Sequence, residues 1–352
     1  MSSGCYARVL RPALFRTGGG DPEVAHERTV RAVAKLAQVP GARAAVRALH
    51  VAPQRPREIA GVPFPGPVGL AAGLDKFGMG VRSWSALGFS HVELGTVTAR
   101  PQPGNPTPRL FRLPQSGAII NRMGFNNPGA DALAARLHAA GIRRGNQAAG
   151  IPVGISLGKS KLTPVADAVG DYLYSLDRLA SFADYVAINV SSPNTPGLRS
   201  LQDRGALEEL LTALVARARE LSEVPVPIFV KLAPDLDRAG IDTVLTVAHD
   251  RGAAAIIATN TTIGRDEIAA TETRIGAETG GLSGAPLTQR AREVVAHCAA
   301  ASELPVIGVG GIMAADDARA LLDRGAAMVQ IYTGYIYAGP TLVNDINRSI
   351  HD

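Results

Sequence analysis

The chain has 352 residues, 46% of them hydrophobic and 19% charged, which excludes a wholly disordered protein and leaves enough apolar material for a large core. The formal net charge of +5 belongs to the N-terminal segment, because residues 1–58 carry ten Lys and Arg against four Asp and Glu while the remainder carries 26 against 27. The two cysteines, Cys5 and Cys298, exclude a disulfide framework, and no run reaches the ~18 apolar residues that a membrane span requires.

Residues 6–16 have the pattern of an amphipathic helix. Apolar residues at positions 6, 9, 10, 13 and 14 share one face, and Arg8, Arg11 and Arg16 supply positive charge beside it. A basic helix of this kind is typical of a protein that lies on an anionic membrane surface. The segment lacks the interleaved aromatic residues and the recognisable modules of nucleic-acid-binding proteins, so no nucleic-acid partner is expected.

Two further helices are predicted in residues 1–56. Asp21 is a suitable N-cap and Pro22 a suitable first residue for one of them, which Pro40-Gly41 would end, and the other is expected over residues 42–50. This segment is interpreted as a helical cap on the main domain, an organelle presequence, or the membrane-surface module of a bacterial protein. Early acidic residues and the folded pattern disfavour a presequence. We therefore expect a peripheral protein on the cytoplasmic side of a cell membrane, with the mitochondrial inner membrane as the alternative.

From Pro67 onward, eight short β-rich runs alternate with helical stretches. The runs are VGLAAG, HVELGT, VGISLG, YVAINVS, IFVKLAP, AIIATNT, VIGVGG and MVQIYTG. Repeated strand-then-helix order indicates parallel pairing, and eight units favour an α/β fold with a closed (β/α)8 TIM barrel over residues 57–352 rather than an open sheet. The stretches RLFRLP and GAIINR, between the second and third units, predict an inserted hairpin.

Polar residues follow most of the predicted strands. The loops that leave the C-terminal ends of barrel strands meet at one mouth, so these residues would share a site. They are Asp75, Lys76, Thr96, Asn189, Ser192, Asn194, Lys231, Thr259, Asn260 and Thr261. Gly310-Gly311 and Tyr332-Thr333 follow the last two strands, where small residues let backbone N–H groups approach a phosphate. Such a polar mouth is costly to desolvate without a ligand, which favours a binding site over an inert scaffold.

Seven motifs in order resemble the dihydroorotate dehydrogenases over nearly the whole chain. They are AAGLDK at 71–76, NRMGF at 121–125, NVSSPNTPGLR at 189–199, VKLAPD at 230–235, TNTT at 259–262, GGLSG at 280–284 and VGGI at 309–312. Ser192 stands where the soluble fumarate- or NAD-linked class carries cysteine, so the chain resembles the membrane-associated, quinone-linked class 2. The resemblance implies oxidation of dihydroorotate to orotate in de novo pyrimidine (UMP) biosynthesis, with FMN as cofactor and a membrane quinone as second substrate.

The resemblance also implies roles for individual residues. Ser192 would be the base that removes the C5 proton while FMN accepts a hydride from C6, and Thr195 and Phe125 would shape the proton path. Substrate contacts are implied for Lys76, Asn121, Arg122, Met123, Gly124, Phe125, Asn189, Asn194, Asn260 and Thr261. FMN contacts are implied for Ala72, Gly73, Leu74, Asp75, Lys76, Thr96, Ser156, Asn189, Lys231, Thr259, Gly284, Gly310, Gly311, Tyr332 and Thr333. His26 and Arg112 are similar to quinone-contacting residues.

Side-chain chemistry is consistent with these roles. Asparagine amides match the amide-like edge of a dihydropyrimidine ring, Lys76 can neutralise the substrate carboxylate, and Lys231 can stabilise an anionic reduced flavin. At Ser156 the family often has asparagine. Taken singly, Ser192 would be a turn-capping residue and His26 an ordinary surface histidine.

Three alternatives stay open from the residues alone. A fumarate- or NAD-linked dehydrogenase shares the fold, but Ser192 and the helical extension argue against it. A non-redox phosphate-binding isomerase or lyase leaves the asparagines and Lys231 without a role, and a non-catalytic membrane scaffold leaves the polar mouth unexplained. We expect a monomer in which residues 191–204, rich in Pro, Gly and Ser, form a lid.

Overall fold

The N-terminal segment folds into short helices that pack on the rest of the chain. The computed structural model describes residues 6–145 and 147–351. A π-helical turn (Tyr6–Leu10) continues into α1 (Arg11–Arg16), and a 3₁₀ turn (Thr17–Gly20) leads to α2 (Pro22–Lys35) and α3 (Ala42–His50). Cys5 lies outside the described residues, and Cys298 is a buried free thiol.

The predicted starts of α2 and α3 are confirmed, and the predicted end of α2 is corrected. The Asp21 carboxylate caps α2 by accepting hydrogen bonds from the backbone N–H groups of Glu23 and Val24. Helix α2 ends at Lys35, before the predicted stop at Pro40-Gly41, because residues 36–41 form turns.

The single apolar stripe predicted for residues 6–16 is wrong. Tyr6 is buried, whereas Val9 and Leu10 are 61% and 40% exposed. The pitch changes from π to α at Arg11, with Pro12 in the first turn of α1, so the apolar residues divide between two faces.

All eight predicted barrel strands form. The strands in chain order are β1 (Arg57–Ile59), β2 (Val62–Phe64), β3 (Val68–Leu70), β4 (Val92–Val97), β5 (Leu110–Leu113), β6 (Ala118–Asn121), β7 (Val153–Leu157), β8 (Tyr185–Asn189), β9 (Ile228–Leu232), β10 (Ala255–Ala258), β11 (Gly281–Gly284), β12 (Val306–Val309) and β13 (Ala326–Ile331). The closed barrel has the order β10-β12-β13-β3-β4-β7-β8-β9, and all its pairings are parallel. This confirms the (β/α)8 prediction.

Helices surround the barrel as expected for strands that are apolar on both faces. They are α4 (Ala130–Ala139), α5 (Ala168–Leu179), α6 (Arg204–Leu221), α7 (Arg238–Asp250), α8 (Thr273–Gly276), α9 (Thr288–Ala301), α10 (Ala315–Leu322), α11 (Thr333–Ala338) and α12 (Pro340–His351). The first unit has a short 3₁₀ helix (Trp84–Leu87) instead of an α-helix. Within the described ranges, no helix is both long and apolar enough to cross a membrane.

Two small sheets complete the barrel. The hairpin β1-β2 places Ile59, Val62 and Phe64 in the same apolar cluster as interior barrel residues, so it closes one end of the barrel. The predicted hairpin β5-β6 forms, and β11 joins it as a third antiparallel strand. Neither β1-β2 nor the strand character of β11 was predicted. The sheet β11-β6-β5 contributes to the wall of a cavity at the other end of the barrel.

Candidate active site

A cavity of about 1050 Å³, including its open mouth, lies at the carboxyl ends of the barrel strands. It is called the main cavity below. Sequence-predicted site residues that line it are Ala72, Gly73, Lys76, Thr96, Asn121, Met123, Gly124, Phe125, Asn189, Ser192, Asn194, Lys231, Thr259, Asn260, Thr261, Gly284, Gly310, Gly311, Tyr332 and Thr333. The fold therefore gathers residues that are up to 261 positions apart in the chain into one site.

Other predicted residues lie behind this wall. The Asp75 carboxylate accepts hydrogen bonds from the backbone of Met79 and Gly80 and from Trp84 Nε1, so it holds the loop after β3 together. Ser156 is fully buried, and its hydroxyl lies 2.9 Å from Thr96 Oγ1.

Thr195 and Arg122 also stand outside the lining. Thr195 is 5% exposed within the loop after β8. Arg122 forms a salt bridge with Glu278 at 2.6 Å, and its guanidinium stacks on the ring of Phe111. The side chain of Arg122 therefore holds β5 to the segment before β11.

Amide side chains form a connected network on one wall of the main cavity. Asn189 Nδ2 donates to Thr96 Oγ1 at 2.8 Å, and its Oδ1 accepts from Asn260 Nδ2 at 3.2 Å. Asn260 Nδ2 also donates to Ser191 Oγ at 2.9 Å. Each of these two amides is therefore held in one orientation by its neighbours.

A second amide pair lies nearer the mouth. Asn194 Nδ2 donates to Asn121 Oδ1 at 3.2 Å, which joins the loop after β8 to β6. Ser192 is 6% exposed, and its Oγ accepts a hydrogen bond from the backbone N–H of Asn194 at 3.3 Å. This bond leaves the hydroxyl hydrogen of Ser192 free to point elsewhere.

Lys76 is a buried ammonium group in this cavity. Its Nζ donates to Asn126 Oδ1 at 2.7 Å. Burial lowers the pKa of Lys76 to about 7, with Glu23 and Glu27 raising it and Arg109 lowering it. Near neutral pH the amine is therefore only partly protonated, and a negative charge placed beside it would favour the protonated form.

Polar residues that the sequence analysis missed lie at and beneath the floor of the main cavity. Lys231 is 5% exposed, and its Nζ lies 3.6 Å from Oε1 of the fully buried Glu93. Glu93 Oε2 accepts from Tyr185 OH at 3.0 Å and from Gln330 Nε2 at 2.9 Å. Charged or amide residues inside otherwise apolar runs, HVELGT and MVQIYTG, were the available signal.

Another part of the main cavity is built from small residues. Gly284, Gly310 and Gly311 have φ values of +98°, +119° and +69°, which L side chains rarely adopt. Thr333 begins α11, and its hydroxyl lies 2.8 Å from Ser283 Oγ. The first backbone N–H groups of a helix have no partner within it, so this end offers donors to an anion. Ser283 was not predicted.

A second cavity, of about 640 Å³, lies under the N-terminal helices and is called the helix-side cavity. Its lining is mainly apolar, and the residues are Tyr6, Leu14, Phe15, Pro22, Ala25, His26, Thr29, Val30, Leu74, Leu110, Arg112, Ile119, Tyr332, Tyr335 and Ile336. Predicted residues Leu74, His26 and Arg112 thus share this cavity. Tyr332 lines both cavities and forms part of the wall between them.

The two predicted polar residues of the helix-side cavity differ in their bonding. Burial, together with the charge of Lys76, lowers the pKa of His26 to about 3, so its imidazole is neutral at physiological pH. Arg112 donates to the backbone oxygens of Phe15 and Gly20 and stacks 4.2 Å from the centroid of the Phe15 ring. Arg112 therefore ties α1 to β5.

The loop at 191–204 contains a 3₁₀ helix (Leu198–Gln202) and is anchored by Arg199. Arg199 forms a salt bridge with Asp235 at 2.9 Å and donates to the backbone oxygens of Ser191 and Thr261. These contacts join the loop to those after β9 and β10. Its role as a lid stays a prediction.

The sequence is similar to known proteins along nearly its whole length. The profile of the family described as dihydroorotate dehydrogenase matches residues 56–352. "Dihydroorotate dehydrogenase (quinone)" of Salinispora arenicola is 55% identical over 340 residues, 96% of each chain. The protein of the same name from Chloroflexus aurantiacus is 52% identical over 356 residues, 98% of this chain and 96% of the relative. The crystal structure of DHODH in complex with ferulenol from Eimeria tenella superposes with a TM-score of 0.84 at 34% identity, covering 97% of this chain and 93% of that chain.

Proposed function

This chain belongs to the dihydroorotate dehydrogenase family, and from that premise we propose how its two cavities divide the reaction. The reaction is the quinone-dependent oxidation of (S)-dihydroorotate to orotate, a step of pyrimidine biosynthesis, and FMN is the cofactor. In our proposal dihydroorotate and FMN bind in the main cavity and the quinone binds in the helix-side cavity. The observation that carries this division is that both cavities share Tyr332 as a wall.

The residues of the main cavity fit FMN at both of its ends. Gly284, Gly310, Gly311 and Thr333 would hold the phosphate, since they bring backbone donors to the cavity surface without side chains in the way. At the other end, the buried ammonium of Lys231 would lie at the isoalloxazine ring.

Some of the other proposed FMN contacts line the main cavity, and others act through residues that line it. Those that line the cavity are Ala72, Gly73, Lys76, Thr96, Asn189, Thr259 and Tyr332. Ser156 would act through its hydrogen bond to Thr96, and Asp75 by shaping the loop that carries Lys76. When bound, FMN accepts the hydride of dihydroorotate and passes the electrons on to the quinone.

The asparagines and Lys76 would bind and orient the substrate. Their amides offer paired donors and acceptors to the ring of dihydroorotate, and their mutual hydrogen bonds hold them in position before substrate arrives. Lys76 would neutralise the substrate carboxylate. Arg122, whose side chain is engaged by Glu278, would contribute only by supporting the neighbouring residues 123–125.

Ser192 would remove the C5 proton as a general base. Its Oγ accepts from Asn194 N–H, which orients the oxygen, while Thr195 and Phe125 would exclude bulk water and lead the proton away. A serine hydroxyl is a weak base, so its effect would depend on this positioning rather than on its intrinsic basicity.

The helix-side cavity would bind the quinone. Its lining suits an apolar ring, and no hydrogen bond is present to the imidazole of His26 among the described residues, so a neutral N–H is available for a quinone oxygen. Arg112 would provide a second donor. The fumarate- or NAD-linked alternative has no use for such a cavity.

We propose that residues 1–56 form the membrane-associating segment and residues 57–352 the catalytic domain. The exposed side chains of Val9 and Leu10, with Arg8 and Arg16 beside them, suit the surface of an anionic membrane. A position on the cytoplasmic face of a bacterial cell membrane would give the helix-side cavity access to quinone. Both cavities are lined by residues of one chain, so the reaction needs no second copy, and we propose a monomer.

Anaerobic spectroscopy tests the proposed function. The purified protein should be yellow, its flavin absorbance should bleach on addition of dihydroorotate, and it should return on addition of a short-chain quinone. A colourless protein that cannot be reconstituted with FMN would instead favour a non-redox phosphate-binding barrel.

Binding of orotate is expected to weaken as the pH rises through neutrality. Burial lowers the pKa of Lys76 to about 7 in the ligand-free protein, so above that pH the amine must take up a proton before it can pair with the carboxylate. The dissociation constant of orotate should therefore be nearly constant below about pH 6 and rise by up to about tenfold per pH unit above about pH 7. Calorimetric titration at several pH values measures this.

Two lysine variants separate Lys76 from general effects of charge. Lys76→Met should bind orotate weakly and without the pH dependence, whereas Lys161→Met, at an exposed lysine that donates to Asn105, should behave as the unaltered chain. A flat pH profile in the unaltered chain would contradict the assignment of Lys76.

Replacement of both Val9 and Leu10 by serine is expected to lower the affinity for vesicles of phosphatidylglycerol and phosphatidylcholine by at least about tenfold. Each side chain that no longer enters the apolar layer removes about 1.5 kcal/mol or more, and 1.4 kcal/mol is a factor of ten. Flotation assays measure the bound fraction. The control exchanges Leu162 and Val224, which are 83% and 68% exposed on the catalytic domain, for serine. An equal loss in the control would argue against docking through residues 6–16.

A further inference from the structure

The carboxylate of Glu93 lies inside the barrel, beneath Lys231, which lines the main cavity. We propose that Glu93 is a positioning residue for Lys231, holding its ammonium charged and directed at the cavity floor. The proposal rests on the placement of FMN over Lys231 described above. It assigns a function to a buried side chain that touches neither substrate nor cofactor.

The contacts of Glu93 leave one of its oxygens for Lys231. Oε2 accepts two hydrogen bonds, from Tyr185 OH and Gln330 Nε2. Oε1 accepts none, and within residues 6–145 and 147–351 the ammonium of Lys231, at 3.6 Å, is the salt-bridge partner of this carboxylate. The pair thus spans from the barrel interior, where Glu93 is fully buried, to the cavity, which Lys231 lines.

The surrounding strands are shaped to hold this cluster. A Cβ atom at Gly154 would lie 2.1 Å from the ring of Tyr185, and one at Gly69 would lie 1.9 Å from the ring of His91. Both rings therefore depend on a glycine in a neighbouring strand. Tyr185 also stacks on Phe229 with centroids 4.5 Å apart, so its hydroxyl is held against Glu93.

The stability of the fold accounts less well for the buried pair of Glu93 and Lys231 than the positioning of Lys231 does. The rest of this interior is apolar and includes Phe64, Ile257, Ile307 and Met328. A buried ion pair is often no more stabilising than well-packed apolar residues of the same volume. The buried pair of Glu93 and Lys231 is accounted for if the charge of Lys231 is needed at the floor of the main cavity.

The side chains packed around Lys231 determine which charges near its ammonium group can change with pH. Burial and the neighbouring Glu93 raise the pKa of Tyr185 well above its usual value, and burial lowers the pKa of His91 to about 3, so both are neutral between about pH 5 and pH 9. Gln330 does not titrate. Glu93 and Lys231 are then the charged groups of the cluster. Lys76, whose pKa burial lowers to about 7, lines the same cavity but is common to every variant compared.

Removing the charge of Glu93 should change how many protons accompany flavin reduction. With Glu93 present, Lys231 keeps its counter-charge in both oxidation states of the flavin. In Glu93→Gln the buried amine has lost its counter-charge, which disfavours the ammonium until the flavin becomes anionic. Two electrons from the reductant then go to the flavin, and one additional proton goes from solvent to Lys231 Nζ.

Equilibrium reduction of the holoenzyme with a mediator-coupled reductant, followed by flavin absorbance between about pH 6 and pH 9, tests this. Compared with the unaltered chain, Glu93→Gln should show a reduction equilibrium that falls by up to a further tenfold or so per pH unit. In the double variant Glu93→Gln/Lys231→Met the additional pH dependence should vanish.

Two outcomes would overturn the proposal. One is a Glu93→Gln protein that retains FMN and has the pH dependence of the unaltered chain; the other is weaker FMN binding, measured by flavin fluorescence, without any added pH dependence. If Glu93→Gln does not fold, Glu93→Asp, whose shorter side chain draws the carboxylate away from Lys231, should shift the pH dependence in the same direction, and no shift would likewise count against Glu93. A chain that binds no FMN at all would instead contradict the proposed function.

Discussion

Replacement of Ser192 by alanine is expected to leave FMN bound and to slow flavin reduction by dihydroorotate by about 10²–10⁴-fold, the usual contribution of a positioned general base. FMN should stay because the proposed phosphate and ring contacts lie on Gly284, Gly310, Gly311, Thr333 and Lys231, away from the loop after β8. The remaining rate would come from the asparagines and Lys76, which still orient the substrate. Anaerobic stopped-flow absorbance measures the reduction directly.

A second serine on the same loop provides the matched control. Ser200 is exposed, and its hydroxyl donates only to the backbone oxygen of Gly197, so Ser200→Ala should reduce the flavin at the normal rate. Raising the pH should not restore the rate of Ser192→Ala to that of the unaltered chain, since the variant lacks the hydroxyl that would take the proton. Normal flavin reduction in Ser192→Ala would remove Ser192 from the mechanism.

Deletion of residues 1–50 is expected to reduce the rate of quinone reduction by about 100-fold while changing flavin reduction by saturating dihydroorotate about twofold or less. The deletion removes Tyr6, Leu14, Phe15, His26 and Val30 from the helix-side cavity, among others, but removes no residue of the main cavity. Loss of about 3 kcal/mol of apolar contact corresponds to that factor. Steady-state quinone reduction and single-turnover flavin reduction measure the two halves separately.

The barrel should survive this deletion. Its attachments to the segment include the salt bridge of Arg109 with Glu23 and the hydrogen bond of Tyr6 OH to the Ile336 backbone, neither of which involves a barrel strand. The hydrogen bond of Ala52 N–H to Asn344 lies beyond the cut. The point variant His26→Ala, in the complete chain, should raise the KM for quinone and leave flavin reduction unchanged. Equal losses in both half-reactions of the deletion variant would indicate misfolding of the barrel instead.

The barrel and its mouth could be predicted because their signals are local. Each barrel strand is a short apolar run, and the residue that follows it points to the mouth by topology alone, which is how Lys231 and Asn260 were found. The site residues on β6, Thr195 and the role of Ser192 as a base came from the family resemblance. Strands β2 and β11 were missed because a proline within one and glycines within the other mask any β pattern, and β11 pairs with a strand about 160 residues earlier.

Other parts of the site depend on contacts that no local pattern contains. Glu93 meets Tyr185 and Gln330 only after the barrel closes, since β4, β8 and β13 are far apart in sequence. The division of residues 6–16 into a buried and an exposed face follows from a change of helical pitch, which hydrophobic spacing cannot signal. In the same way Asp75, adjacent to Lys76, proved to be a loop-holding residue because three donors surround it in space.

The position of Tyr332 between the two cavities affects the steady-state kinetics expected of the enzyme. If dihydroorotate binds in the main cavity and the quinone in the helix-side cavity, as we propose, the two substrates would lie on opposite sides of the Tyr332 ring and would not occupy the same space. Neither has to leave before the other arrives, so a compound that blocks one compartment should lower turnover without competing against the molecule that uses the other. In the proposed arrangement, dihydroorotate would reach the flavin from the main cavity and the quinone would accept electrons from the helix-side cavity, so the substrate would not have to enter the apolar site.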